Sequence, residues 1–146
     1  MRAVLDRNVL ISSLLSPGGS PGLLLAAWRE GKFDLIVSET LLAELSRSLT
    51  YPKLLHHVSP EETLGFRGLL EASAIQALDR HFDSSILVRD PDDIYLVALA
   101  KHELAFLVSG DKDLLSLAPE VPVLTPAAFL AVLRDAFSGS QQNPGI

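Results

Sequence analysis

RAVLDRNVLISSLL, residues 2–15, carries two different periodicities that meet at one acid. Residues 2–6 read as a short buried strand with Asp6 at its carboxyl end, and from Val9 to Leu15 the apolar residues read as a helix. That helix has to stop at SPGGSPG, residues 16–22, where glycine and proline crowd a turn. Further along, Leu23, Leu24, Ala27 and Trp28 return at helical spacing, Gly31 marks a helix end, and FDLIVS (33–38) is a second strand.

The same alternation continues to the end of the chain. Leu41, Leu42, Leu45 and Leu49 form one helical stripe with Ser38 as N-cap, and the stripe stops before Tyr51-Pro52. Ser59-Pro60-Glu61-Glu62 opens another helix, with a capping serine, proline at the first helical position and acids in the first turn. Short strand-like pieces lie around Ile75 and at Ile86 to Val88. Asp90-Pro91-Asp92-Asp93 introduces a helix with Val97, Ala100 and Leu104 on its inner side. AFLVS (105–109) is a buried strand, Val121 to Leu124 a shorter one, and a last helix starts near Thr125-Pro126 with Phe129, Leu130 and Leu133 inward. Strands separated by helices imply right-handed crossovers and a parallel sheet covered on both faces.

With 146 residues the chain fits one domain, expected over 1–137, followed by a disordered tail at 138–146. The absence of cysteine excludes a disulfide framework, a zinc–thiolate site and a cysteine nucleophile. No secretion signal or membrane-length apolar run is visible, so a soluble, cytoplasmic protein is expected. A net charge of −6 argues against broad phosphate neutralisation of duplex DNA. It leaves open a nucleic-acid substrate, because acids gathered to hold a cation make the whole chain more negative while the loaded site attracts phosphate.

In a parallel sheet of this kind functional groups collect beyond the carboxyl ends of the strands, where strand order reverses. Asp6 and Asp111 fall at such ends, although an aspartate after a strand is also a common helix cap or turn former. Glu44 borders the Leu41–Leu45 stripe, and Asp93 shares the face of Val97 and Ala100; the alternatives are a glutamate at the rim of the core and a first-turn acid favoured by the helix dipole. If the four converge, carboxylates about 4 Å apart repel by roughly 4 kcal/mol per pair at an effective dielectric near 20, so the cluster has to protonate or bind a cation. Oxygen ligands with neither cysteine nor a histidine pair suit Mg²⁺ or Mn²⁺ and metal-assisted phosphodiester hydrolysis.

VLDRNVLISSLLSPGGSP, VSETLLAEL, RDPDDIYLVALA, FLVSGDKDLLSL and VPVLTPAAFL stand in the order and spacing of the PIN-domain family. Over residues 1–133 the chain resembles its VapC-like members, the toxin components of toxin–antitoxin systems. The resemblance implies a three-layer α/β/α fold around a mainly parallel sheet of about five strands. It implies a Mg²⁺- or Mn²⁺-dependent endoribonuclease, with Asp6, Glu44, Asp93 and Asp111 as catalytic metal ligands. Asp92 is the rival register for Asp93, and Asp113 is an outer ligand. Asn8 and Ser109 match polar positions that hold the carboxylates by hydrogen bonds. It also implies single-stranded RNA as substrate, an antitoxin partner and a homodimer or higher homo-oligomer.

One departure stands out: where the family reads DTN, this chain has Asp6-Arg7-Asn8. Arg7 has three readings: it pairs with a cluster carboxylate and competes with metal, it contacts substrate phosphate, or it points to solvent. The first supports an alternative function, a catalytically weakened PIN fold that acts as an RNA- or protein-binding module. Lys112, beside Asp111, is a candidate phosphate contact. His56, His57, His81 and His102 lack ligand spacing and are expected on the surface; Lys53, His56, His57, Arg67, Arg80 and Arg89 either line a path for single-stranded RNA or, as their scatter along the chain suggests, belong to solvated surface. Trp28 and Phe33 are expected in the core or at a subunit contact. A phosphorelay receiver domain ranks lower, since no acid ends FDLIVS, and a dehalogenase-type phosphatase is disfavoured by Asn8 at the second acidic position.

Overall fold

The computed structural model describes residues 1–79 and 93–141, of which 139–141 are described by backbone alone. In chain order the elements are β1 (Arg2–Leu5), α1 (Arg7–Leu15), α2 (Ser20–Arg29), β2 (Asp34–Val37), α3 (Glu39–Leu49), α4 (Pro52–Leu55) and α5 (Pro60–Ser73). They are followed by β3 (Ile75–Gln76), α6 (Ile94–His102), β4 (Phe106–Val108), α7 (Lys112–Leu115), β5 (Val123–Leu124) and α8 (Pro126–Gln141). The strands form one five-stranded sheet in the order β3-β2-β1-β4-β5, with every neighbouring pair parallel. The chain winds outward from β1 in one direction through β2 and β3, then in the other through β4 and β5. The reversal therefore lies between β1 and β4, and the crevice beyond their carboxyl ends is the natural place for a site.

Successive strand side chains point to opposite faces, so a strand buried at consecutive positions must be covered on both sides. Ala3, Val4 and Leu5 are fully buried, as are Ile36, Val37, Leu107 and Val108. The expected helix–sheet–helix layering follows. Helix α1 packs against α2 and α3, α2 against α8, and α6 against β1 and β4. Phe129 of α8 closes one end of the core, 5.2 Å edge-on to Phe33 and 5.5 Å from Phe106. Trp28 and Phe33 are buried within the chain's own core.

The N-caps expected at Ser38 and Ser59 form where their chemistry predicts, and Thr125 adds one that was not expected. The Ser38 side chain accepts from the Leu41 amide, Ser59 and Glu62 complete a reciprocal capping box, and Thr125 Oγ1 accepts from Ala128 N. Gly31 ends α2 at φ 78°, with Lys32 N donating to Ala27 O and Gly31 N to Trp28 O. Helix α6 closes the same way, but with a leucine. Leu104 takes φ 51°, and Ala105 N donates to Ala100 O. This corrects the expected inward face: Val97 and Ala100 are buried, whereas Leu104 lies past the helix end and is 88% exposed.

The strand-like piece at Ile75 is β3, pairing with β2, while Ile86 to Val88, Asp90 to Asp92, Arg80, His81 and Arg89 lie outside the described residues. Helix α8 runs to Gln141, four residues into the segment expected to lack structure. Among the described residues no single helix is long and apolar enough to cross a membrane.

Candidate active site

The register of β1 on β4 sets the floor of the crevice. Leu5 pairs with Val108, and Asp6 N donates to Val108 O at 3.1 Å, which puts Asp6 beside Ser109 as both chains leave the sheet. Asp6 then caps α1, its Oδ1 accepting from Val9 N at 2.8 Å, while Oδ2 accepts a short hydrogen bond from Ser109 Oγ. Ser109 is fully buried, and its Oγ also accepts from Asp111 N at 3.0 Å. One hydroxyl thus ties together the acids that end the two central strands. Asp111 Oδ1 in turn accepts from Asp113 N at 2.8 Å and opens α7. The capping reading of both aspartates is therefore correct, and it is compatible with a further role, because a carboxylate oxygen that accepts one hydrogen bond keeps a second lone pair.

Glu44 and Asp93 reach the same place from the helices. A cleft of about 70 Å³ is lined by Asp6, Arg7, Asn8, Glu44, Asp93, Tyr95, Leu96 and Asp111. Glu44 is held from three sides: Tyr95 Oη donates to Oε2 at 2.8 Å, Arg7 Nη1 lies 3.6 Å from Oε2, and Arg47 Nη2 lies 3.9 Å from Oε1. Asp93 stands at the N-cap position of α6, and its charge acts on the Tyr95 hydroxyl. Asn8 is exposed on the cleft wall, and among the described residues no hydrogen bond links it to Asp6, Glu44 or Asp111. Lys112 is exposed in the first turn of α7, and neither it nor Asp113 lines the cleft. His56, His57 and His102 are exposed, whereas Arg67 is occupied by Glu39, Glu71 and Ser46.

The electrostatics follow from this packing. Burial pushes the Asp6 carboxyl above the ordinary carboxylate range; the Ser109 and Val9 hydrogen bonds pull it back, the Asp111 charge raises it and the Arg7 charge lowers it. Burial, reinforced by the Glu44 carboxylate, raises the Tyr95 hydroxyl, which stays protonated and serves as a donor. Tyr95 is the residue that sequence reasoning missed. Its signal was weak but present: a tyrosine on the apolar helix IYLVALA has to find a partner for its hydroxyl when buried.

As their side chains stand, no three His, Cys, Asp or Glu groups among the described residues are close enough to hold a metal ion. The donor set nevertheless has the composition that suits a hard divalent cation: four carboxylates with the oxygens of Asn8 and Tyr95, and no sulfur or imidazole beside them. The like charge of Asp111 bearing on buried Asp6 is a cost that such a cation relieves.

Fold and cleft together define a doubly wound α/β protein with its acids gathered at the switch point. Residues 2–113 match the PIN domain, and the chain belongs to that family. An uncharacterized protein of Methanocaldococcus jannaschii is 31% identical over 120 residues, covering 82% of this chain and 77% of the relative. Among solved structures the chain is similar to one in VapBC2 from Rickettsia felis bound to a DNA fragment from their promoter, at TM-score 0.62 and 14% identity, over 86% of this chain and 98% of that one. It is also similar to a chain of FitAcB from Neisseria gonorrhoeae, at TM-score 0.48 and 20% identity, over 85% and 97% of the two chains.

Proposed function

We propose that the protein is a divalent-metal-dependent endoribonuclease acting on single-stranded RNA, and the toxin component of a toxin–antitoxin pair. The observation that carries this reading is the convergence of Asp6, Glu44, Asp93 and Asp111, from two strand ends and two helices, on one cleft. Family membership supports it, and the VapBC2 likeness motivates the antitoxin partner. Self-association as a homodimer or higher homo-oligomer belongs to the same proposal.

In this reading the four carboxylates hold Mg²⁺ or Mn²⁺, which supplies positive charge against the phosphate and activates water. Ser109 and the Val9 amide fix the orientation of Asp6, so its carboxylate needs little reorganisation. Tyr95 does the same for Glu44. Lys112, exposed beside Asp111, is the proposed contact for the RNA backbone.

A catalytically weakened binding module remains the second reading, and the Arg7–Glu44 ion pair favours it. The two part in one experiment: purified protein is incubated with labelled single-stranded RNA, single-stranded DNA and duplex RNA, each in Mn²⁺ or EDTA. Cleavage confined to single-stranded RNA in Mn²⁺ supports the nuclease. RNA binding without cleavage in any condition supports the module.

A further inference from the structure

Convergence of acids at the cleft does not by itself require a metal ion, because this chain brings a cation of its own. Arg7 is the first residue of α1, where a positive charge opposes the helix dipole, and no acid occupies the first turn of that helix to offset it. The helix dipole therefore does not favour a cation at this position. The Arg7 guanidinium instead faces the carboxylates: it pairs with Glu44 at 3.6 Å, and its charge acts on Asp6 and on Tyr95. The Glu44 side chain is only 19% exposed, so most of its access to ions runs through the cleft that Arg7 shares.

We propose that Arg7 is the resident counter-ion of the cleft: Arg47 also approaches Glu44, at 3.9 Å, but is 63% exposed and does not line the cleft, whereas Arg7 holds the carboxylate from within it in the metal-free protein and competes there with a divalent cation. Arg7 is thus a positioning residue that sets the metal affinity of the site. The inference rests on the metal-dependent reading above, and it selects one of the three roles the sequence left open. With the Arg7 side chain 37% exposed, the pair is partly screened by solvent. Removing such a partner changes an equilibrium constant by about fivefold.

The test is isothermal titration of Mn²⁺ into metal-free wild type, Arg7→Met, Arg7→Lys and Asp6→Asn, each first shown to be folded by circular dichroism. Arg7→Met keeps an unbranched apolar stem and removes the guanidinium charge; Arg7→Lys keeps the charge. The expected result is that Arg7→Met binds Mn²⁺ about fivefold more tightly than wild type, Arg7→Lys returns to within about twofold of it, and the gap narrows in high salt. If wild type binds, Asp6→Asn does not, and Arg7→Met equals wild type, the counter-ion role is overturned while the metal site stands. If wild type and Arg7→Met both take up no Mn²⁺, the metal reading fails and this inference with it. If Arg7→Lys binds as tightly as Arg7→Met, charge is not what Arg7 contributes, and the inference is overturned.

Discussion

Ser109→Ala removes the one hydroxyl that joins the two strand-end acids. Its Oγ donates to Asp6 Oδ2 and accepts from Asp111 N, and the residue is fully buried. Losing a hydrogen bond to a buried charged acceptor costs roughly 1.5–3 kcal/mol. The Asp111 amide is only part-buried and regains a partner from water, so it adds little. A total of about 2–3 kcal/mol corresponds, for a chain of this length, to a fall in melting temperature of roughly 5–10 °C. The effect carries a pH signature. The Asp6 pKa is already raised in the folded state, and Ser109 is one of the groups pulling it down, so the substitution raises it further. A carboxyl with a raised folded pKa gives its stabilisation below the unfolded value, near 3.8, and loses it as pH rises through the folded value. The deficit of Ser109→Ala should therefore be largest at neutral pH and shrink to about 1 kcal/mol as pH falls below about 4, where Asp6 is protonated in both states. Thermal and urea unfolding in EDTA from pH 3.5 to 7.5 measures it. A variant that melts within a degree of wild type, or a deficit that stays constant across that range, would refute the reasoning.

Leu104→Gly should stabilise the protein by about 1 kcal/mol, because it relieves a left-handed backbone conformation at an exposed helix end; an unchanged or lowered melting temperature counts against this. Gly22→Ala should do the opposite, despite alanine's higher helix propensity. An added Cβ would lie 2.2 Å from the carbonyl oxygen of Pro17, and a cost above about 2 kcal/mol is expected by urea unfolding, whereas a neutral variant would contradict the close packing of that turn. Tyr95→Phe should fold normally and lower RNA cleavage about tenfold through kcat, since its hydroxyl orients Glu44. Full activity in that variant would remove Tyr95 from the site.

The residues explain why some of this was legible in the sequence and some was not. Asp6 and Asp111 could be found because a short buried strand announces its own carboxyl end, and the sheet order then brings the ends of β1 and β4 together. Glu44 was visible as a charge bordering the apolar face of its helix, and Asp93 as one sharing such a face. The pairing of Arg7 with Glu44 was open because it joins two segments remote in sequence, and nothing local distinguishes a guanidinium turned into a cleft from one turned to water. Tyr95 was missed because an aromatic within a run of apolar residues first reads as core. Leu104 was misplaced for a related reason: glycine signals a left-handed helix end, as at Gly31, but leucine at the same kind of position carries no such mark. Gathered carboxylates have a third route besides protonation and cation binding: Ser109, Tyr95 and Arg7 supply hydrogen bonds and an internal counter-charge.

The central claim is that the cleft carboxylates perform metal-dependent hydrolysis of RNA, and one measurement addresses it directly. Cleavage of a labelled single-stranded RNA in Mn²⁺ is compared for wild type, Asp6→Asn, Glu44→Gln, Asp93→Asn and Asp111→Asn, with Lys53→Ala as a surface control and EDTA as the metal-free arm. The expected result is cleavage by wild type and Lys53→Ala, abolished by EDTA and reduced at least about a hundredfold by each carboxylate substitution. Cleavage that persists in EDTA, or that survives in Asp6→Asn at the wild-type rate, would contradict it.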